Sequence, residues 1–402
     1  FAKVFAGHRE DLLLEAGVVL REDGNPAIEL EPNTGKVTVS VRLSVNDKAW
    51  NVWVADAQKR FGEMSEKNEP SETRHSYGDR WDGPELVAGN RRFFFKKDYE
   101  PTIKKQLEAV PKRQWVRVAL VDKAGWTIAA EYMETEDFRG GSPLGFYGRK
   151  DFIKRDSVTK DVVFEGLSLA DLKATAKVVC LVGDRNELMT TGTDESLAYR
   201  KTHPDKVIEI GNVSFRLAQL SPRLSVGTTE VTQALWEAVM GENPSEHKNL
   251  QKPVDSVSWD DCQEFLKKLN AFPAIQKSGL RFRLPREEEW EFACRAGAIG
   301  DYCKLADGTE ITEETLGRVA CFDGKPHPDP VGQKEPNAFG LYDMNGNVWE
   351  RTSTAHGEGR VNCGGSWRSS AGLCGSSYRD RCPPSNRLYY VGFRLCASAR
   401  AD

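Results

Sequence analysis

An α+β chain, strand-rich in its first half and helix-bearing in its second, is predicted by three observations. In "KVTVSVRLSV", Val37, Val39, Val41, Leu43 and Val45 alternate with polar residues, the period of a half-buried strand. Three stretches beyond residue 228 carry apolar residues at helical spacing behind recognisable caps. Between the halves, "TTGTDESLAYRKTHPD" (190–205) is polar and poor in apolar residues, as a domain boundary would be. The expected domains are 1–204 and 205–402. A length of 402 residues supports that division, because one ordinary core does not grow so large.

Composition narrows the function. An apolar fraction of 39% with ten Trp is enough to build real cores. A net charge of −4 argues against a dedicated nucleic-acid binder, which would show a basic face. No run of about 18 apolar residues is present, so no membrane span is expected. No signal-peptide core is visible, and targeting cannot be read. Nine Cys occur without a CxxC pair, which makes a structural zinc site unexpected.

In the first half, "WNVWVADA", "RRFFFKK" and "VVCLV" are further strand candidates. "QWVRVALVDKAGWTIAAEYM" reads as a hairpin turning at 122–125. Residues 64–84 read as a long loop, and "LSLADLKATA" carries a modest helix signal. No chemical motif stands out, so a β-sandwich-like module for display or docking is the expectation. In the second half, "TEVTQALWEAVMGENPS" opens a helix behind Thr232 and stops it near Gly241 and Pro244. "VSWDDCQEFLKKLN" is capped by Ser258, and Trp259, Cys262, Phe265, Leu266 and Leu269 form one apolar stripe. "RLPREEEWEFACRAG" starts with Pro285 and a run of Glu and ends before Gly297. Short strands and long loops follow.

These stretches, with "PNAFGLYDMNGNVWE", "GGSW" and "VGFRL", occur in the order found in formylglycine-generating-enzyme-like domains. The second half resembles that family from about residue 207 to residue 398. The resemblance implies an elaborated C-type-lectin fold. One departure is Arg286, where the family usually has Thr; the neighbouring Glu residues partly offset the lost cap through the helix dipole. The enzymes resembled oxidise a substrate cysteine with two cysteines that bind copper(I), five residues apart, just after the Gly-Gly-Ser-aromatic turn. Here those positions are Ser369 and Cys374. A protonated hydroxyl cannot replace a thiolate on copper(I), so no copper and no catalytic residue are expected. A second, iron-dependent branch would need a His triad, and the six His include no HxxxH pair. The alternatives are a copper oxidase of that type and a degenerate enzyme-like domain.

A third branch accounts better for the stretch from Cys363 to Cys396. It resembles the variable proteins of diversity-generating retroelements, in which AAC codons of a template are mutated at adenine. The fixed frame of those proteins is matched by 364–367, Ala371, Gly372, Cys374, Ser377, Arg379, Pro384, Arg387 and 391–395. Randomising both adenines of AAC gives NNC codons, which never encode Lys, Glu, Gln, Met or Trp. None of those residues occurs between Arg368 and Tyr390. The candidate ligand-binding positions, within a variable region of about 363–391, are Arg368, Ser369, Ser370, Leu373, Asp380, Cys382, Leu388, Tyr389 and Tyr390. Tyr, Ser and Arg are the palette of antibody paratopes. The resemblance therefore implies a non-catalytic receptor or display protein with a protein or other macromolecular target; the compartment is left open, and display on a cell surface or virion is compatible with it. The variable side chains should share one open face, while Trp349 and Trp367, in the frame, should be core.

The same resemblance implies a structural calcium ion in "GLYDMNGNVWE". Its ligands would be the side chains of Asp343 and Glu350 and the carbonyls of Gly346 and Val348; hard oxygen donors suit that ion. The bland reading is that Asp343 makes turn hydrogen bonds and Glu350 pairs with an Arg.

Overall fold

The structure, a computed structural model, describes residues 5–7, 14–31, 33–45, 65–67, 85–88, 91–94, 115–134, 151–152, 157–165, 167 and 169–399. It divides into two compact units, Phe1–Leu188 and Met189–Asp402.

The first unit is a sheet structure. Its strands are β1 (Phe5–Gly7), β2 (Leu14–Val18), β3 (Ile28–Glu31), β4 (Lys36–Val45), β5 (Ser65–Lys67), β6 (Glu85–Ala88), β7 (Arg91–Phe94), β8 (Trp115–Val121), β9 (Thr127–Glu134), β10 (Asp151–Phe152), β11 (Ser157–Phe164) and β12 (Lys177–Gly183). They form sheets in the orders β1-β12-β8-β9, β11-β4-β2 with β3 on β4, and β10-β6-β7-β5. Val37, Val39, Val41 and Leu43 of β4 share one core with Val116, Val118 and Leu120 of β8 and Val178, Cys180 and Val182 of β12. Period-2 alternation in β4 and β12 turns one face of each strand inward, β8 is buried on both faces, and the two sheets share this core. The β8–β9 hairpin turns where predicted. Asp122 accepts from the Ala124 and Trp126 amides, and Gly125 takes φ +97°, a conformation glycine adopts freely. The predicted helix over "LSLADLKATA" is α1 (Leu169–Ala174). The strand expected in "WNVWVADA" lies outside the described residues. Of the loop expected over 64–84, only β5 is described, and it is a strand.

The units meet 16 residues before the expected boundary. Helix α2 (Arg185–Met189) leads to α3 (Thr193–Thr202), inside the stretch taken as a polar link. Asp194 and Glu195 sit at the positive end of α3 and Arg200 and Lys201 at its negative end, so charge rather than an apolar stripe favours the helix. Leu197 packs it onto a core of the second unit, and Arg200 pairs with Asp205 at 2.9 Å.

The second unit holds strands β13 (Lys206–Ile210), β14 (Val213–Ser221), β15 (Leu224–Gly227), β16 (Leu280–Arg283), β17 (Trp349–His356), β18 (Gly359–Cys363), β19 (Arg379–Cys382), β20 (Val391–Phe393) and β21 (Cys396–Ala399). Their sheets run β13-β14-β15-β21-β16 and β19-β18-β17-β20. The predicted helices are α4 (Gln233–Met240) and α5 (Trp259–Ala271); after the short α6 (Pro273–Ser278) comes α7 (Glu287–Arg295). Thr232 caps α4, and Gly241 ends it with a positive φ. Ser258 and Asp261 form a capping box on α5, with Ser258 Oγ accepting from the Asp261 amide at 3.0 Å and Asp261 accepting from the Ser258 amide at 2.8 Å. At α7, Glu289 accepts from the Arg286 amide and from the Arg283 guanidinium, and the Thr354 hydroxyl, from β17, accepts from the Glu287 amide at 3.0 Å in place of the missing Thr cap. Trp236, Phe265 and Phe393 stack and cross edge-to-face between α4, α5 and β20, and tie β20 to the helices. No described helix is long and apolar enough to cross a membrane.

The capping box makes a measurable claim. Ser258→Ala should cost roughly 1 kcal/mol in urea unfolding. A variant as stable as the parent would mean that the tertiary contacts of α5 hold its first turn unaided.

Candidate ligand-binding surface

The frame begins with a turn that requires glycine. Gly364 and Gly365 have φ of +96° and +76°, and a Cβ on Gly365 would lie 2.6 Å from Cys374 Sγ. The turn leads into Ser366 and Trp367, both buried. Ser369 Oγ accepts from the Ser366 amide at 3.0 Å, and the Ser369 amide donates to the Ser366 carbonyl at 2.9 Å. Alongside runs a second segment, whose Asp323 and Lys325 amides donate to the carbonyls of Ser369 and Trp367.

Arg368 leaves this knot outward. Its guanidinium carbon lies 5.7 Å from the Trp367 ring centroid, 5.2 Å from Tyr389 and 5.6 Å from Tyr390. Its Nη1 also donates to the Tyr389 hydroxyl. Tyr389 and Tyr390 meet edge-to-face at 5.3 Å. Tyr390 is half-buried against Trp367, Val348 and Cys321, whereas Tyr389 is 37% exposed. The His247 ring stands edge-on to Trp367 at 5.7 Å, and His327 lies 5.9 Å beyond it. The loop is positioned from below, because the Leu388 carbonyl accepts from the Ser256 and Val391 amides. Ser256, at φ +61°, thereby fixes where Tyr389 begins.

The structure thus brings Arg368, Tyr389 and Tyr390 together. Leu388 adjoins them along the chain and is half-buried; Ser370 is exposed, and Leu373 is half-buried in the turn of 3-10 helix Ala371–Cys374. Two expected surface positions are corrected. Ser369 is 6% exposed because its hydroxyl closes the turn, and Cys382 is 6% exposed. Cys382 lies on the sheet face that carries Arg351, a fully buried side chain. Arg351 donates to the Val257 carbonyl, to Cys382 Sγ at 3.3 Å and to the Asn386 carbonyl at 2.6 Å, so the 383–390 loop lies over that thiol. Asp380, on the edge strand β19, is half-buried with Asn362 Nδ2 3.4 Å away. No contact joins it to the Arg368 cluster. Trp349 and Trp367 are buried as expected.

The sequence reading passed over Tyr378, which is 42% exposed with its ring 6.0 Å from Trp349. It stands between two frame positions, and its residue type lies in the same codon set, a signal that could have found it. His247 and His327 lie far away in sequence and gave no signal.

Comparison with known proteins now places the domain. The model of the sulfatase-modifying factor enzyme 1-like domain matches residues 168–399. The chain belongs to this family. Among its relatives, the chaperone protein LppX of Paenibacillus barcinonensis is 29% identical over 203 residues, 38% of this chain and 72% of LppX. The inactive C-alpha-formylglycine-generating enzyme 2 of Mus musculus is 31% identical over 186 residues, 42% of this chain and 56% of the relative. The formylglycine-generating enzyme of the same species is 29% identical, over 42% of this chain and 50% of the enzyme. The chain therefore spans about half the length of these last two, and the family includes proteins named as enzymes and as inactive. Among solved structures, Treponema denticola variable protein 1 aligns with 49% of this chain and 99% of its own at 26% identity and a TM-score of 0.43.

The metal chemistry of the sulfatase-modifying factor family can be tested on these residues. For copper, Ser369 stands in place of the second thiolate with its oxygen bonded to the Ser366 amide. Cys374 is fully buried, and burial pushes its thiol up to about 12. For calcium, both oxygens of Glu350 are already engaged, and a third buried carboxylate, Glu230, stands beside Asp343 and Glu350. The Glu350 carboxylate accepts from Arg394 Nε and Nη2 at 2.7–3.1 Å and from Trp290 Nε1 at 2.7 Å. Arg394 is fully buried beside it, and its positive charge opposes a divalent cation there. Asp343 Oδ2 is taken by the Gly332 amide at 2.6 Å, and burial pushes that carboxyl up to about 6. Gly346 is in place with φ +90°, and the Val348 amide donates to Glu230. No group of three or more His, Cys, Asp or Glu is placed to hold a metal ion among the described residues. The alternative stated from sequence, a Glu350–Arg pair, is the one the side chains adopt.

Two experiments follow. Arg394→Met should cost roughly 3–5 kcal/mol by stranding the Glu350 charge, whereas calcium or EDTA should leave the melting temperature unchanged. A calcium-dependent rise in melting temperature would restore the metal reading. Separately, Arg368→Ser with Tyr389→Ser should change stability by less than about 1 kcal/mol, and Trp367→Ala should cost roughly 3–5 kcal/mol. The reverse order would put Trp367, not Arg368, on the surface.

Proposed function

We propose that residues 205–402 form a non-catalytic ligand-binding domain whose stretch of about 363–391 is a retroelement-diversified surface for a protein or other macromolecular target. The observation that carries this reading is the contrast between Arg368 and its setting. Gly364, Gly365, Ser366, Trp367 and Cys374 are buried in a rigid knot, while Arg368 and Tyr389 stand out of it. A side chain in such a position can be exchanged without disturbing the fold, and Tyr and Arg are strong contributors to interfaces. The absence of Lys, Glu, Gln, Met and Trp from 368–390 fits sampling by NNC codons. The strand-rich first unit would serve display or docking, and the net charge of −4 favours a target other than nucleic acid.

The competing reading is copper-dependent cysteine oxidation. Against it stands Ser369, committed to the turn, and the Cys374 thiol, which burial keeps protonated at neutral pH. The purified chain, supplied with copper(I), oxygen and a cysteine-containing peptide, should give no formylglycine by mass spectrometry. Turnover would overturn the non-catalytic assignment.

A further inference from the structure

We propose that this particular surface takes an acidic protein segment, one that seats an Asp or Glu carboxylate on Arg368. The inference rests on the binding reading above and adds the chemistry of the target.

Charge accounting motivates it. Of the three other arginines of the same stretch, Arg381 is exposed on the edge strand β19 and two are neutralised within the fold. Arg379 pairs with Glu287 and Glu291, and Arg387 makes a two-pronged pair with Asp261. Among the described residues Arg368 has no carboxylate partner; its side chain meets the Tyr389 hydroxyl and three aromatic rings. Rings at 5.2–5.7 Å hold a guanidinium in place without cancelling its charge. The planar fork is left preorganised, with most of its five N–H donors unspent, and that is the geometry carboxylates prefer. Holding the side chain in advance lowers the entropy lost on binding.

The surroundings agree in sign. Lys325 is exposed on the segment bonded to Trp367, and no carboxylate pairs with it. Two acids share that segment: Asp323, exposed two residues before Lys325, and Asp329, half-buried beside Cys321. A guanidinium over an aromatic floor, with a lysine on the segment bonded to Trp367, suits a mixed acidic and apolar peptide. These two cations are too few for a nucleic-acid backbone, which requires several neutralised phosphates.

The test is a random peptide library panned on the purified full chain, with selected peptides measured by fluorescence anisotropy. Acidic peptides should be enriched. Their affinity should fall at least about tenfold in Arg368→Ser, less in Lys325→Ser, and weaken as salt rises. Arg368→Lys should recover part of the loss, since it restores the charge without the fork. Both residues are exposed, so melting temperatures should match the parent and exclude misfolding. Neutral or basic peptides lost in Tyr389→Ser but retained in Arg368→Ser would overturn the acidic assignment while leaving a binding surface. Peptides indifferent to both substitutions would overturn the surface itself. A single-stranded oligonucleotide that binds and is displaced in Arg368→Ser would also overturn the protein-segment assignment.

Discussion

The second unit is organised around one buried ion pair. Arg394 and Glu350 are almost wholly shielded from solvent, and the guanidinium spends its donors on Glu350, the Gly227 carbonyl and the Tyr342 carbonyl. Trp290 Nε1 completes the carboxylate. Five segments therefore meet at one charge: β17, β15, α7, the loop at 342 and the residue after β20. Such a pair adds little net stability, because two charges must be desolvated to form it. Its value here is geometric. Shifting the register of β17 against β20 would part these charges, so the strand at the end of the 363–391 stretch is fixed by atoms buried well below the surface.

The rest of the frame works by close approach. A Cβ on Gly392 would lie 2.3 Å from the Val254 carbonyl, and one on Gly346 would lie 2.4 Å from the Cys321 carbonyl. Backbone packed this tightly leaves no room for side chains at those points. The same rigidity lets neighbouring side chains vary. Arg368 and Tyr389 are held by backbone bonds of Trp367, Ser369 and Leu388, whose formation does not depend on what the side chains are. Tolerance on the surface and intolerance beneath it are thus two results of one arrangement.

How much of this was legible in the sequence varied with the kind of signal. The helices α4, α5 and α7 could be read because caps and apolar stripes are local. The strand-rich first unit could be read from β4, where alternation is strict. Helix α3 could not, because its stabilisation is charge against dipole plus one leucine, and a polar segment resembles a link. Ser369 and Cys382 were misplaced for a related reason. Irregular chain has no period, so nothing in the sequence separates a hydroxyl that closes a turn from one that faces solvent. The proximity of His247 and Ser256 to the tyrosines arises from folding over more than 100 residues, and no local pattern carries it. The Glu350–Arg394 pair was visible only as one of two alternatives, since a carboxylate suits a cation of either kind.

Ser369 also bears on how a catalytic frame and a binding frame can share one fold. A cysteine at that position would offer a poorer acceptor to the Ser366 amide than the hydroxyl does. The serine gains a hydrogen bond of ordinary length, 3.0 Å, and the turn gains a fixed shape. Its partner Cys374, without a second thiolate or a cation nearby, has only the Ser366 amide to offset the cost of burying a negative charge, and its thiol stays high. Reactivity and rigidity are opposed here. Metal-binding thiolates need an environment that stabilises charge, whereas a support for exchangeable side chains needs every polar group in the turn satisfied by another. The residues from Gly364 to Cys374 meet the second requirement, and so this turn suits a support for exposed side chains better than a thiolate metal centre.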